Sequence, residues 1–501
     1  MKKLRALLII LCFCLVFPLL ASCGKDNGNQ NENKGKYEYD DLTRETAADS
    51  IPDDYNLENQ SVSFWYHETS EAVSTKGIED STDIVYSRIY ERNLSVQERL
   101  NFKFELVPCN TTTWQDSSNE LKIEIQTMSA AFDAVFAANN RVIQMKLFNY
   151  FHNLNDSEYI DVDERWWYTD AIMEISVDNY NYRFLYGDID VTNLGQAGCI
   201  YYNKSLYEQY ISSNKNPDEL YDKVLEGLWT LEEYDRIVRK SHISRGGDGS
   251  NDIYGLAMTY AEWNHYLRES AGIRMYERDE AGMPKFNFKD DRSVEFTNRL
   301  YSLYYENEGT ISSLYKGQTV TQSFPNGNLM FEMNRLTRSL SEEMREMKED
   351  FGIIPYPKLN EEQEEYVTLL HNATVSTCIP VSTDIDRANE EVSAVIEALA
   401  SESYRRVAVA FYETALKTAY NRDDQSAQMI DIITAQHDTV KSTLTKNFAY
   451  EYGSSLGNIG NIFGSLMVDR STDFVSKYDG IIGSADEGLK DLLRQYKEGT
   501  I

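Results

Sequence analysis

The feature that most constrains the fold is a repeated order of strand, helix and strand in the first part of the chain. "SVSFWYHET" (61–69) and "NFKFELVPC" (101–109) carry the β-branched and aromatic residues typical of strands. Between them, "STDIVYSRIYERNLSVQERL" (81–100) has apolar residues at helical spacing. The order repeats with "SSNELKIEIQTMSAA" (117–131) as a helix and "FDAVFAA" (132–138) as a buried strand. This alternation predicts a parallel α/β unit.

The later sequence continues the alternation. "AGCIYYNKSLYEQY" (197–210) predicts a strand that runs into a helix, and "WTLEEYDRIVRKS" (229–241) predicts a helix with Thr230 as its N-cap. "DIYGLAMTY" (252–260) and "FGIIPYPKL" (351–359) are typical of strands. Further helices are predicted at 296–309, 339–350 and 389–434. The predicted fold class is α/β, arranged as two lobes.

The N-terminus is typical of an export signal. Three basic residues precede an apolar run over 7–20, which is shorter than an ordinary membrane-spanning helix. The run ends in "LASC" (20–23), which resembles the bacterial lipobox, in which the peptide is cleaved before a cysteine that carries lipid. We therefore predict a signal peptide over 1–22 and lipidation of Cys23, with an ordinary secretory signal and a chance cysteine as the alternative.

The segment after this cysteine differs from the rest of the chain. Residues 24–56 are rich in Asn, Gly, Asp and Lys and offer almost nothing to bury, so we assign 23–56 to a flexible tether. The remaining chain is long enough for two or three domains. It contains no further apolar stretch near the roughly 20 residues that a membrane span needs. The predicted membrane attachment is therefore the lipid alone.

Charge and cysteine content exclude several classes of protein. Lys and Arg total 49 against 81 Asp and Glu. An excess of acidic residues repels phosphate backbones, so nucleic acid is excluded as a partner. Beyond the N-terminal segment the cysteines are Cys109, Cys199 and Cys378, an odd and widely spaced set that predicts small buried thiols rather than a disulfide framework.

The sequence lacks the motifs of common catalytic and metal sites. It has no G-x-S-x-G elbow, no H-E-x-x-H and no P-loop, and its six histidines are scattered singly. The loop "RGGDGSNDIYG" (245–255) partly resembles a calcium loop through Asp248, Asn251 and Asp252, but it lacks the closing Glu. We predict no enzyme activity, no metal and no cofactor. A secreted glycoside hydrolase, which needs two carboxylates across a sugar, stays as a minor alternative.

A set of segments spread over nearly the whole chain occurs in a characteristic order. They are "FDAVFAANNR", "GCIYYNKSLYEQY", "GLWTLEEYDRIVRK", "DIYGLAMTY", "GNLMFEMNR", "DFGIIPYPK" and "ASESYRRVAVAFYETALKTAYNRDDQSAQMID". Together with the lipobox, the ordered set resembles the family 1 extracellular solute-binding proteins of ABC importers, the carbohydrate-binding group related to maltose-binding protein.

The resemblance implies two α/β lobes that are joined by crossing segments and close on a ligand. The crossings are expected near Leu194–Gly198 and Glu365–Asn372, where Gly195 and Gly198 would tolerate the change of backbone on closure. The implied parts are lobe one over 57–195 with part of 370–400, lobe two over 197–366, and C-terminal helices over 401–501 that pack on both lobes.

The resemblance also implies a function. The protein would be a monomer that is lipid-anchored on the extracellular face of a bacterial membrane, binds a sugar or oligosaccharide and delivers it to its ABC permease. Aromatic residues form 12% of the chain, and sugars stack their apolar faces on such rings. A peptide or polyamine ligand is the alternative, and it would need fixed charges in the cleft. The family's loop F-W-A-H-D-R has a stacking Trp, which is absent at 136–141 here, and this difference argues against a maltodextrin.

Candidate ligand-binding residues follow from strand ends and from matching family positions. In lobe one they are Trp65, Tyr66 and Glu68 after the first strand, and Asn140 and Arg141 in the family loop. Gln196 matches a carboxylate of the crossing segment, and its amide can donate as well as accept hydrogen bonds. In lobe two, Glu262 and Trp263 follow "YGLAMTY", and Asn334 and Arg335 follow "GNLMFEM".

Overall fold

The computed structural model describes most of the chain beyond the predicted tether. The described residues are 44, 46–67, 72–109, 111, 113–143, 146–178, 180–246, 252–258, 263–312, 323–412, 424–437 and 439–499. The predicted signal peptide, Cys23 and nearly all of the predicted tether lie outside them, as do Glu68, Glu262, Asp248 and Asn251.

The strands predicted from the sequence occur as β1 to β5 and β10, and the described residues contain seven more. In chain order they are β1 (Ser61–His67), β2 (Lys103–Cys109), β3 (Ala134–Ala138), β4 (Gly198–Asn203), β5 (Tyr254–Met258), β6 (Tyr276–Arg278), β7 (Pro284–Phe286), β8 (Thr310–Ser312), β9 (Leu329–Arg335), β10 (Phe351–Ile354), β11 (Tyr366–Leu369), β12 (Val375–Cys378) and β13 (Ser442–Thr445).

Helices connect most of these strands. They are α1 (Ala72–Lys76), α2 (Ile84–Leu100), α3 (Trp114–Gln126), α4 (Asn139–Val142), α5 (Thr169–Ile175), α6 (Val191–Gly195), α7 (Lys204–Tyr210), α8 (Glu219–Leu225), α9 (Leu231–Lys240), α10 (Trp263–Ser270), α11 (Asp291–Tyr301), α12 (Glu342–Arg345), α13 (Ile385–Arg387), α14 (Ser393–Glu402), α15 (Asp424–Ile433), α16 (Phe448–Glu451), α17 (Ile462–Val468) and α18 (Phe474–Glu498). Short 3-10 or π turns cover Leu147–Tyr150, Ser302–Glu306, Leu336–Leu340, Ala388–Val392, Ser403–Val407, Gly453–Leu456 and Ile459–Asn461.

The strands form two principal sheets. The first sheet has the order β12-β3-β1-β2, in which β1 runs parallel to β2 and β3, and β12 is antiparallel to β3. The second sheet has the order β10-β4-β9-β5-β8, with β4 antiparallel to both of its neighbours. The predicted α/β fold class with two lobes is confirmed, with one sheet in each lobe.

The chain passes between the two sheets more than once. It leaves the first sheet after β3, enters the second at β4, and returns from β10 to β12. Between β10 and β12 the chain forms β11, which pairs in parallel with β13 as a separate two-stranded ribbon. At the junction, Ala197 pairs with Leu370, and the amide N–H of Leu370 donates to the carbonyl of Thr445 at 2.8 Å. Backbone from three distant parts of the sequence therefore meets between the sheets.

Side-chain caps fix the starts of the predicted helices. The Asp83 carboxylate accepts the backbone N–H of Val85 at the start of α2. Thr230 caps α9 through the N–H of Glu233, as predicted. These caps satisfy N–H groups that have no partner inside the helix.

One predicted helix is much shorter than expected. Of residues 339–350, only Glu342–Arg345 are α-helical, after a 3-10 turn over Leu336–Leu340. Met344 is the buried side chain of this helix. A segment with so little apolar surface to pack lacks the tertiary contacts that stabilise short helices.

The three cysteines of the described chain are free and buried, which confirms the prediction of unpaired thiols. Burial raises the pKa of Cys199 and of Cys378. Raised pKa values disfavour the reactive thiolate, so these two cysteines serve as small apolar side chains.

A buried carboxylate joins α14 to a cluster of aromatic residues in the segment "DERWWYTD" (163–170). Glu397 is 1% exposed, and its two oxygens accept the indole N–H groups of Trp166 and Trp167, each at 2.9 Å. Burial, together with the negative charges of Asp49 and Glu164, raises the pKa of Glu397 to about 8. The cluster is thus packed in the core.

This raised pKa predicts a pH dependence of stability. The folded protein holds a proton on Glu397 between about pH 4.5, where an unfolded glutamate titrates, and about pH 8. The free energy of unfolding therefore falls as pH rises through that window, by up to about 1.4 kcal/mol per pH unit. Glu397→Gln lacks this titration. Urea unfolding at a series of pH values should therefore show that the free energy of unfolding of the native protein declines, relative to that of the variant, as the pH rises. The matched control is Glu232→Gln, whose side chain is 82% exposed and which should leave the pH profile unchanged. A constant difference between native protein and Glu397→Gln at all pH values would contradict the prediction.

Candidate functional site

The parallel strands of the first sheet end at a polar edge. Beyond β1 and β2, the His67 Nε2 atom lies 2.9 Å from the carbonyl oxygen of Thr111. Beyond β3, the Asn139 side-chain oxygen accepts the hydroxyls of Tyr186 at 2.5 Å and Ser376 at 2.7 Å. Ligands of α/β proteins bind beyond such strand ends.

The predicted residues of the first sheet are mostly buried. Trp65 and Tyr66 are each 1% exposed, Trp65 packs near Phe132, and the Lys76 ammonium lies 4.8 Å from the centre of the Tyr66 ring. Their burial follows from their places inside β1 rather than after it. The structure does not bring these rings to the polar edge, so their role in binding stays a prediction.

Arg141 and Asn140 both lie in α4, directly after β3. The buried Arg141 donates from Nε to the Ser117 hydroxyl at 3.1 Å, and its carbonyl accepts the Ser118 hydroxyl. Arg141 thus ties α4 to α3. It also contributes, after burial, to the lowered pKa of His67. The Asn140 side chain is not among the described parts.

Two of the predicted residues meet at the junction between the sheets, together with a third that sequence reasoning missed. The guanidinium of Arg335, at the end of β9, donates from Nη1 to the Gln196 side-chain oxygen at 2.8 Å and lies 2.9 Å from His371 Nδ1. We call Gln196, Arg335 and His371 the junction cluster. Its members come from the two crossings and from the second sheet.

The hydrogen bonds define the charge state of His371. Its Nδ1 accepts from the Arg335 guanidinium, which is always protonated, and from the backbone N–H of Ala373 at 3.0 Å. An acceptor nitrogen carries no proton, so His371 is a neutral imidazole with its proton on Nε2. The junction cluster therefore contains one positive charge and two neutral groups.

Aromatic and imidazole rings surround the junction cluster. Tyr266 stacks on Tyr356 with ring centres 5.3 Å apart, and lies parallel to His371 at 6.5 Å. His265 lies 4.1 Å from Tyr450, and burial with the nearby charge of Arg268 holds the pKa of His265 well below its usual range. Neutral polar atoms and ring faces together suit a sugar.

The ring set contains a signal that could have been found in the sequence. Trp263 begins α10, and Tyr266 follows it three residues later, a spacing that places both on one helix face. Tyr356 belongs to the "GIIPYPK" segment that was assigned only to a strand. The Trp263 side chain is not described.

Asn334 has a supporting position beside the junction cluster. Its side-chain N–H donates to Glu332 at 2.8 Å, and its oxygen accepts the backbone N–H of Arg335 at 3.0 Å. Glu332 also forms an ion pair with Arg338 at 2.8 Å, although burial raises the pKa of this carboxyl. Asn334 thus orients the end of β9.

A buried ion pair holds the other side of the junction. The Lys446 ammonium donates to the His371 carbonyl at 2.9 Å and to Glu451 at 2.9 Å. Both charged side chains are 0% exposed. Burial lowers the pKa of Lys446. The ion pair therefore holds the backbone of His371 in place.

The two glycines of the first crossing serve close packing. A Cβ atom on Gly195 would lie 2.1 Å from the Thr337 methyl, and one on Gly198 would lie 2.2 Å from the Tyr266 ring. Neither glycine has a positive φ. In this structure the missing side chains leave room for the Thr337 methyl and the Tyr266 ring, and the expected tolerance of a backbone change on closure stays a prediction.

A second concavity contains none of the predicted residues. A polar cavity of about 340 Å³ lies between α5, α10 and the β11–β13 ribbon. Its charged groups bind one another or the backbone, since Arg292 donates to the Ala271 carbonyl and Gln363, and Lys441 pairs with Glu364. We therefore place the candidate site at the junction cluster instead.

The described residues contain neither a cluster of metal ligands nor a helix that could span a membrane. Within the ranges that the structure covers, no group of three or more His, Cys, Asp or Glu side chains is arranged to hold a metal ion. Asp252, from the loop that partly resembles a calcium site, accepts the N–H of Arg245. Among the described helices, none combines the length and the apolar composition needed to span a bilayer.

Comparison with known proteins shows the fold. No family model and no curated protein matches the sequence. Among solved structures, the sugar-binding protein MalE from Xanthomonas citri is similar with a TM-score of 0.57 and 12% identity, over 87% of this chain and 99% of that one. A cyclo/maltodextrin-binding protein complexed with maltotetraose has a TM-score of 0.54 and 12% identity, over 86% and 96%. UspC of M. tuberculosis has a TM-score of 0.52 and 12% identity, over 85% and 100%. The chain therefore has the two-lobed α/β fold of these proteins.

Proposed function

We propose that this protein is the substrate-binding protein of an ABC transporter and that it binds a sugar or oligosaccharide between its two lobes. The observation that carries the proposal is the position of the junction cluster, because polar groups and stacked rings meet where the chain crosses between the sheets. The fold is shared with MalE of X. citri, which is described as sugar-binding. On this proposal the protein is a carrier and not an enzyme.

The N-terminal sequence supports an extracellular location in which the protein is attached to the membrane. Cleavage before Cys23 and lipidation of its thiol would hold a monomeric protein at the outer face of the membrane, beside its permease. The tether at 23–56 would give the protein reach, and a short flexible linker raises the local concentration of a partner. Mass spectrometry of the membrane fraction should find a lipid-modified peptide that begins at Cys23. Mature protein that still contains Met1 would contradict this.

The proposed lobes follow the two sheets. Lobe one comprises 57–195 with part of 370–400, lobe two comprises 197–366, and the helices of 401–501 pack on both. The proposed ligand-binding residues are Trp65, Tyr66, Glu68, Asn140, Arg141, Gln196, Glu262, Trp263, Asn334 and Arg335. Gln196 and Arg335 have the strongest structural support because they lie together at the crossing.

Calorimetric titration of the purified protein tests the proposal directly. Mono-, di- and oligosaccharides would be compared with peptides and polyamines. Saturable binding of at least one sugar is expected. Binding of a peptide or polyamine with no response to any sugar would overturn the sugar proposal, and turnover of a bound glycoside would instead indicate a hydrolase.

Trp263→Ala should weaken sugar binding by roughly 1–3 kcal/mol, because an indole at the start of α10 would lose its stacking contact with the ligand. Calorimetry with the best sugar of the panel measures the effect. Tyr180→Ala is the control, since that ring is 59% exposed and lies outside the candidate site. Unchanged affinity in a folded Trp263→Ala variant would remove Trp263 from the site.

A further inference from the structure

Among the described residues, the positive charge of the junction cluster has no negative partner. Arg335 donates to the neutral amide of Gln196 and to the neutral ring of His371. Its Nε atom is buried and makes no hydrogen bond. Within the described chain, no carboxylate lies within 4.0 Å of this guanidinium.

The neighbouring buried cations are matched. Arg338 pairs with Glu332 at 2.8 Å, Arg268 pairs with Glu269 at 2.9 Å, and Lys446 pairs with Glu451 at 2.9 Å. Charges withdrawn from water are normally paired in this way, because desolvation is costly. Carboxylates are abundant in a chain of net charge −32, yet none of the described ones forms an ion pair with Arg335.

We propose that the ligand supplies the missing negative charge, and that the cargo is an acidic sugar, a saccharide that contains a uronic acid. This inference rests on the proposed sugar-binding function and narrows its ligand class. A guanidinium presents a planar fork of donors that matches a carboxylate with two parallel hydrogen bonds. Arg335 offers its second terminal nitrogen, Nη2, for such a contact, since Nη1 is engaged and Nε is buried.

The groups around Arg335 leave its charge in place. His371 and Gln196 hold the guanidinium without neutralising it, and the Tyr266–Tyr356 stack, in which each ring is 2% exposed, packs close to His371. The acidic surface of the protein does not cancel this local preference. At physiological salt, exposed charges are screened beyond about 8 Å, whereas a half-buried contact is screened much less.

The test compares an acidic sugar with a neutral sugar of the same skeleton. Trigalacturonate and its fully methyl-esterified form are titrated into the full soluble chain, along with glucuronate- and mannuronate-containing oligosaccharides and their neutral counterparts. At least one acidic sugar should bind about 10- to 100-fold more tightly than its neutral partner, the range expected for a charge-assisted hydrogen bond.

Variants of Arg335 distinguish recognition of the ligand carboxylate from a purely structural role of this side chain. Arg335→Gln should reduce the ratio of acidic to neutral affinity to near one, and Arg335→Lys should restore part of it. A purely structural role would lower both affinities together and leave the ratio unchanged. Arg494→Gln removes the same charge from an exposed site on α18 and should change neither affinity.

The outcomes distinguish the inference from the function on which it rests. If neutral sugars bind as tightly as their acidic partners, the acidic-sugar inference is overturned while the sugar-binding function stands. If no sugar of either kind binds, the proposed function itself fails. If the preference for an acidic sugar persists in Arg335→Gln, another group carries it and the assignment to Arg335 is wrong.

Discussion

Replacing Glu451 by glutamine should lower the free energy of unfolding by about 3–5 kcal/mol, because it leaves the ammonium of Lys446 buried without its counter-charge. Both side chains are 0% exposed, so water cannot take the place of the lost carboxylate. Lys446 also donates to the carbonyl of His371, so the damage should reach the junction cluster. Chemical denaturation monitored by tryptophan fluorescence measures the loss.

Two further variants test the physical cause. The double variant Lys446→Met with Glu451→Gln removes both charges and should recover most of the stability. The exposed pair Lys441 and Glu364, with side chains 70% and 77% exposed, is the matched control. Glu364→Gln should leave the stability close to that of the native protein, because water screens an exposed pair. A similar loss at both pairs would show that burial is not what makes the Glu451 contact important.

Replacing Trp229 by alanine should cost about 3–5 kcal/mol of folding stability, the range for removing a large aromatic side chain from a core. Trp229 is fully buried, packs against Tyr234 and Phe331, and donates its indole N–H to the carbonyl of Pro355 at 2.8 Å. Thermal unfolding followed by circular dichroism gives the size of the effect.

Trp229→Phe provides a graded comparison. It keeps a ring in the cavity but removes the indole N–H, so the loss should be smaller than for alanine and should include the cost of an unpaired Pro355 carbonyl. Equal stability of the alanine variant and the native protein would mean that the neighbouring rings can close the cavity, contrary to this prediction.

The contacts of Trp229 also explain why the order of the motifs along the chain predicts the fold. Trp229 and Thr230 belong to the "WTLEEY" segment, while Pro355 and Lys358 belong to "GIIPYPK". The two segments pair through the bridge of Thr230 with Lys358 and through the indole bond to Pro355. Motifs far apart in the chain thus form one structural unit, and their joint presence predicts the fold better than either motif does alone.

Local patterns were sufficient for many of the strands and helices but not for the partners of individual side chains. Period and capping predicted β1, β3 and α9 because those signals lie within a few neighbouring residues. The contact between Arg335 and His371 joins residues from separate elements, and no local pattern encodes it. For Trp65 the strand end could not be located from the sequence, because β1 extends past it to His67 and the ring is buried; its role in binding stays a prediction.

The backbone pairing of Gln196, Leu370 and Thr445 has a consequence for how the protein is made. His371 bonds to Gln196 and Leu370 bonds to Thr445, so the junction needs a segment near the end of the chain. Synthesis proceeds from the N-terminus, and contacts between remote residues form slowly because loop closure must come first. The first sheet is also incomplete until β12 has been synthesised, and β12 is synthesised long after β1 to β3. An incomplete chain therefore exposes an unfinished sheet edge, and completion of the junction depends on the arrival of β13.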